Sequence, residues 1–197
     1  MEPITTINSH AVTLTLDDID TDQIIPARYL KTTGKEGLGE ALFADWRYNP
    51  DGSRRPDFIL NQPFASGARI LIARNNFGCG SSREHAVWAL RGWGIDAVIA
   101  LSFADIFRSN ALKNGLLPVE VDVPFFDDLL MVISKNPGVQ ISVDLPEQCV
   151  SVTGGPSTKF PIDPFVRECL LKGIDQLDYL LSLDEEISAY EVTHERG

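Results

Sequence analysis

Two compact apolar runs, residues 68–73 (Ala-Arg-Ile-Leu-Ile-Ala) and 95–101, bracket a segment that must turn the chain and bring it back. Each run has the length and composition of a buried strand, and the segment between them carries a helix. Strand, helix and strand in this order predict a βαβ unit with parallel strands. The turn entering the helix, residues 76–83 (Asn-Phe-Gly-Cys-Gly-Ser-Ser-Arg), is the most constrained part of the chain. Gly78 and Gly80 admit backbone conformations that residues with a Cβ resist. Ser81-x-x-Glu84 has the form of a capping box, so a helix is expected to begin there and run toward Leu90, with Gly92 and Gly94 ending it. Its unpaired N–H groups, with Arg83 beside them, make a helix start suited to holding a carboxylate or phosphate.

The remaining pattern extends this unit. Residues 10–16 alternate Val12, Leu14 and Leu16 with polar residues and predict a half-buried strand. An acidic loop follows, Asp17-Asp18-Ile19-Asp20-Thr21-Asp22. Its spacing misses the calcium-loop pattern, so a solvated or capping loop is expected. Residues 32–40 are glycine-rich and expected to be mobile, ordering only over substrate or a partner, ahead of a short helix near 42–46. Helices are predicted at 104–113 and 125–134, and strands at 116–121, 139–145 and 150–152, with Gly154-Gly155 as a turn. Asp163-Pro164 starts a further helix, with proline in its first turn. Residues 175–195 read as acidic and helical, with Leu177, Leu180, Leu181 and Ile187 on the apolar side. The expected product is one α/β domain with a mixed sheet and a short C-terminal helical extension.

Composition removes several classes of function. The net charge of −11, with no basic cluster beyond Arg54-Arg55, leaves no face to neutralise nucleic-acid phosphates. No run approaches a membrane span, and the N-terminal residues lack a basic leader and an apolar core, so the cytoplasm is the expected compartment. Three dispersed cysteines (Cys79, Cys149, Cys169) and three histidines form no metal-ligand pattern. No metal site is expected in this chain, and an iron–sulfur cluster would have to be held mostly by another chain.

Ser81 has two readings, a helix cap or a catalytic hydroxyl. Caps are common, but a plain cap needs neither the flanking glycines nor Arg83. A serine acting as a base must be held near its alkoxide form, and a helix start plus a guanidinium can do that. The surroundings of Ser81 fit neither a nucleophile elbow nor a P-loop. Cys79 reads as a small buried thiol and His85 as a packing residue. Asp22, beside the apolar Ile24-Ile25, is the member of the acidic loop expected to face a site.

Together these residues resemble a known family. Residues 76–86 are similar to the signature turn of the aconitase superfamily's swivelling domain. Ser102-Phe103-Ala104-Asp105-Ile106-Phe107, Asn110 and Gly115-Leu116-Leu117-Pro118 resemble its next helix and strand. Asp20-Thr21-Asp22-Gln23-Ile24-Ile25-Pro26, with Tyr29-Leu30-Lys31-Thr32-Thr33, resembles the N-terminal motif of one branch, the small subunits of 3-isopropylmalate dehydratase. The resemblance implies a swivelling β/β/α fold over residues 1–162, with 163–197 as a helical extension of the same domain. It also implies a hydro-lyase, active only with a large subunit, that isomerises 2-isopropylmalate and 3-isopropylmalate in leucine biosynthesis. A four-iron–four-sulfur cluster is expected on that partner and no cofactor on this chain. By position, Ser81 corresponds to the base, Arg83 to a substrate-carboxylate ligand with Ser82 beside it, and Asp22 to an active-site aspartate. Thr32 and Thr33 stand where aconitase places an arginine for a third carboxylate, a change suited to an isopropyl group. Related hydro-lyases of the homoaconitate or methyl-malate type, and a non-catalytic aconitase-like binding module, are the alternatives.

Overall fold

The computed structural model describes residues 2–30 and 34–175, together with 178, 179, 181, 183, 184 and 190. In chain order the elements are β1 (Thr6–Ser9), β2 (Ala11–Leu14), α1 (Thr21–Ile24), α2 (Ala44–Arg47), β3 (Ile70–Ala73), α3 (Glu84–Trp93), β4 (Ala97–Ala100), α4 (Asp105–Lys113), β5 (Leu117–Glu120), α5 (Val123–Lys135), β6 (Ile141–Asp144), β7 (Cys149–Val152), β8 (Ser157–Lys159) and α6 (Pro164–Lys172). Short 3-10 turns fill the path from α1 to β3, among them Leu38–Ala41.

Among the described residues the strands separate into two sheets in place of the expected mixed one. Strands β2-β3-β4-β5 are all parallel, whereas β1-β6-β7-β8 are all antiparallel. The parallel sheet is covered on both faces, which is why β3 and β4 are apolar throughout instead of alternating. On one face Leu71, Ala73, Val98 and Ala100 meet the core residues Ala86, Val87, Leu90, Phe107 and Ala111 of α3 and α4. On the other, Ile70, Ile72, Ala97 and Ile99 share a second core with α5 and with Ile141, Val143, Val150 and Val152 of the antiparallel sheet. The order antiparallel sheet, parallel sheet, helices is the expected β/β/α arrangement.

The βαβ unit forms as predicted, β3–α3–β4, with β3 and β4 parallel in register Ile70↔Ala97. Gly94 ends α3. Gly92 does not end it. It lies inside the helix against Gly39, where a Cβ would stand 3.0 Å from the Gly39 nitrogen. That contact seats the Leu38–Ala41 turn on α3, with Leu38 at 3% exposure. Residues 38–40 of the glycine-rich segment are therefore docked on α3. Lys35 also reaches Asn114 Oδ1 at 3.1 Å and lies over the Trp88 ring.

The strand expected over 10–16 ends at Leu14, and the chain changes sheets around His10. The strand before it, β1, was not signalled, because only Ile7 and Ser9 face inward there. β8 was missed for a similar reason: its Ser-Thr-Lys sequence offers no apolar alternation. Asp163 caps α6 as expected, accepting from the Phe165 and Val166 amides at 3.0 Å. Leu170 of α6 is buried in the second core, and its carbonyl accepts from Ile4 N at 2.9 Å. The predicted helical run 175–195 lies mostly outside the described residues.

Candidate active site

The site grows from the ends of parallel strands. β3 delivers the chain into the glycine turn, and β2 delivers it into the acidic loop, so both emerge at the same sheet edge, where open α/β sheets place ligands. The two loops zip together. Asp17 Oδ1 accepts from the Asn75 backbone at 3.0 Å and from its side chain at 2.8 Å. Asn76 Nδ2 donates to Asp18 Oδ1 at 2.8 Å, Gly78 N to Ile19 O at 2.7 Å, and Thr21 N to Cys79 O at 2.9 Å. Asp20 and Cys79 pair as a parallel bridge. The acidic loop is thus a structural strap more than a solvated run. Hydrogen bonds from Asn75, aided by Arg74, hold the Asp17 carboxyl below the usual carboxylate range.

The loop after β4 braces the turn from its other side. Asn76 N donates to Ser102 Oγ at 2.8 Å, and Phe77 N to the Ser102 carbonyl at 3.1 Å. Phe77 packs edge-on against Phe103 and Phe107. Gly78, at φ +78°, passes directly over the Phe107 ring.

The expected capping box does not form. α3 begins at Glu84 with Arg83 at its cap position and no side-chain cap bond. Glu84 instead accepts from Asn114 Nδ2 at 2.6 Å, and Asn114 Oδ1 accepts from Trp88 Nε1 at 2.9 Å. The reach of Glu84 toward α4 removes half the box. Ser81 is exposed, and its hydroxyl lies 3.4 Å from Thr21 Oγ1. It is a serine outside the helix and not committed to its amides, which favours the hydroxyl reading over the cap reading.

Arg83 is mostly buried and forms an ion pair with Asp22 through Nη1 and Oδ1. Four of the sequence-predicted residues, Asp22, Ser81, Ser82 and Arg83, therefore gather on the joined loops. Thr32 and Thr33 lie outside the described residues. Cys79 is half-buried, its Sγ 3.4 Å from the Asp18 carbonyl. Burial, followed by the negative charges of Asp20 and Asp18, pushes its thiol pKa up, which opposes thiolate chemistry at neutral pH. His85 packs on Trp88 with ring centres 4.7 Å apart. Among the described residues, no three His, Cys, Asp or Glu side chains gather into a metal-binding group.

Thr21 is the member that sequence reasoning missed. It is 2% exposed, and its hydroxyl donates to the Ser81 carbonyl at 3.1 Å. Flanked by aspartates in a run that reads as solvated, it gives no local signal, because a turn sixty residues away buries it.

The Aconitase C-terminal domain model matches residues 1–124, and the LeuD_N model matches residues 127–164. The chain is 55% identical to the 3-isopropylmalate dehydratase small subunit of Roseiflexus castenholzii over 194 residues, covering 98% of this chain and 95% of that one. It is 56% identical to the protein of the same name from Anaeromyxobacter dehalogenans, covering 97% and 98%. The chain belongs to the family of 3-isopropylmalate dehydratase small subunits. A crystal structure of 3-isopropylmalate dehydratase from Methanocaldococcus jannaschii superposes with a TM-score of 0.67 at 31% identity, covering 94% of this chain and 99% of that one. The fold is therefore that of the family as well. Small-subunit membership implies a large-subunit partner. No helix among the described residues is long and apolar enough to cross a membrane.

Proposed function

We propose that this chain is the small subunit of a two-chain hydro-lyase that interconverts 2-isopropylmalate and 3-isopropylmalate by dehydration and rehydration in leucine biosynthesis, in the cytoplasm. The observation that carries this reading is identity above 50% to relatives of that name over nearly the whole chain. The joined-loop site supports it from the chemical side.

Membership of the aconitase family supports an iron–sulfur cluster, which this reading assigns to the large subunit. Bound there, it would supply Lewis acidity for departure of the hydroxyl. The small subunit supplies the other half of the chemistry. Ser81 Oγ takes the proton from the carbon next to a substrate carboxylate, and the C–H electron pair moves toward that carboxylate. The guanidinium of Arg83 binds a substrate carboxylate, with Asp22 fixing its orientation and Ser82 beside it. By their position in the sequence, Thr32 and Thr33 are assigned to the isopropyl group of the substrate. An arginine in their place would bury a cation against an apolar substituent, so their identity disfavours a third carboxylate.

The test is reconstitution with a large subunit, followed by an isomerisation assay on 2-isopropylmalate, homoaconitate and methyl-substituted malates. Isopropylmalate should be the preferred substrate. Ser81→Ala should abolish turnover while the two chains still co-purify. Near-normal turnover in that variant would remove Ser81 as the base. A large subunit active by itself would reduce this chain to a regulator.

A further inference from the structure

Thr21 is buried at 2% exposure, while its neighbour Asp22 is exposed and Asp20 half-buried. Both hydrogen-bond contacts of its hydroxyl are to Ser81: the carbonyl oxygen at 3.1 Å and Oγ at 3.4 Å. Its backbone N–H is tied to the Cys79 carbonyl at 2.9 Å, so the hydroxyl is fixed relative to the turn it addresses. The β-branched side chain has few χ1 choices, which sharpens that placement. A clamp on the turn needs only the contact to the Ser81 carbonyl. The second contact, to the Ser81 side chain, is what a clamp leaves unexplained.

A threonine hydroxyl carries one donor and two acceptor lone pairs. With Ser81 neutral, Thr21 can donate to the Ser81 carbonyl and accept from the Ser81 hydroxyl. With Ser81 deprotonated, the same hydroxyl can turn from the carbonyl to the alkoxide and donate to it. The Thr21 proton stays on its own oxygen throughout, and only its acceptor changes.

We propose that Thr21 is a positioning residue for Ser81, its hydroxyl alternating between the Ser81 carbonyl and the Ser81 Oγ as that oxygen gains and loses a proton. The inference rests on the reading of Ser81 as the base. The role is distinct from that of Arg83, because Thr21 acts on the serine and touches no substrate.

The experiment uses the assembled two-subunit enzyme with Thr21→Val, Thr21→Ser, Ser81→Ala and the Thr21→Val/Ser81→Ala double variant. Losing the donor that holds Ser81 as its alkoxide leaves less of the active base, and should lower kcat about tenfold to a hundredfold in Thr21→Val on the ascending limb of the pH profile. KM should stay within about twofold, since no substrate contact is lost. Without that donor the alkoxide is harder to form, so the ascending limb of the kcat–pH profile should move to higher pH. Thr21→Ser should restore most of kcat. The double variant should co-purify with the large subunit as Ser81→Ala does, because Thr21 acts through Ser81 and not as a clamp on the assembly. A Thr21→Val enzyme with normal kcat and an unmoved pH profile would overturn the proposal. So would equal losses in the valine and serine variants accompanied by failure to co-purify with the large subunit, which would mark Thr21 as a clamp. Full turnover in Ser81→Ala would instead sink the base assignment itself, a separate outcome read from a separate variant.

Discussion

Asp22 and Arg83 form an ion pair across 61 positions of sequence, with the arginine side chain 19% exposed and the aspartate 55%. A pair so open on its acidic side contributes about 0–1 kcal/mol to stability. Its effect is on geometry, because it holds the guanidinium in one orientation beside Ser81. We expect Asp22→Asn to raise KM for isopropylmalate about tenfold with a smaller fall in kcat and little change in melting temperature. Arg83→Lys should raise KM and lower kcat together, since a point charge cannot reproduce a bidentate contact. Steady-state kinetics on the reconstituted enzyme decide both. Unchanged KM in each variant would remove the pair from the site.

The two glycines of the turn should not be equivalent. Both have positive φ, but a Cβ at Gly78 would run into the Phe107 ring, whereas at Gly80 the nearest atoms are Asp20 Cβ and Thr21 Oγ1, both at 3.6 Å. Gly80→Ala should therefore cost only the backbone strain, about 1 kcal/mol. Gly78→Ala adds the displacement of a buried aromatic, for a total of about 3 kcal/mol or more. Denaturant titration of the two variants tests the order, and equal midpoints would refute it.

How much of this could be read in the sequence depended on whether the cause was local. The β3–α3–β4 unit was legible because apolar runs and glycines mark its parts within thirty residues. Ser81 and Arg83 were singled out from the turn that holds them. The capping box misled because Glu84 has a better partner in Asn114, thirty positions away and invisible to local pattern. Thr21 was hidden in the same way, since a turn distant in sequence buries it. The docking of residues 38–40 on α3 through the Gly39–Gly92 contact likewise depends on a neighbour far along the chain.

Arg47 is 4% exposed, and the acceptors around its guanidinium are mostly backbone carbonyls. Its Nη1 donates to the carbonyls of Gly39 and Leu42 at 3.2 Å and of Glu40 at 3.4 Å. Burial lowers its pKa from the ordinary arginine value, opposed by Tyr48 and Glu40. The side chain thus fastens the turn that docks on α3. Arg47→Met keeps the bulk but strands these carbonyls, and should cost about 2–4 kcal/mol. In a domain of this size that lowers the melting temperature by roughly 5–15 °C. A shift under about 2 °C would show that water replaces the guanidinium without loss.

Asp17 ties the acidic loop to the glycine turn, and its pKa is lowered first by the Asn75 backbone bond, then by the Asn75 side chain, with Arg74 adding to them. The sign of the resulting pH dependence follows from linkage. A carboxyl whose folded pKa lies below its unfolded value of about 3.9 contributes stability that is present above that value and lost as pH falls through the folded one. Asp17→Asn keeps an oxygen acceptor for Asn75 but removes the charge, so it should melt below the wild type at pH 7. The gap should narrow below about pH 4, as the wild-type carboxyl itself becomes neutral, and nearly close in stronger acid. Because the other carboxyls are shared by both proteins, their titration cancels in the difference. Melting curves of the pair between pH 7 and pH 2.5 measure it, and a gap that stays constant would show that the charge of Asp17 plays no part in holding the strap to the turn.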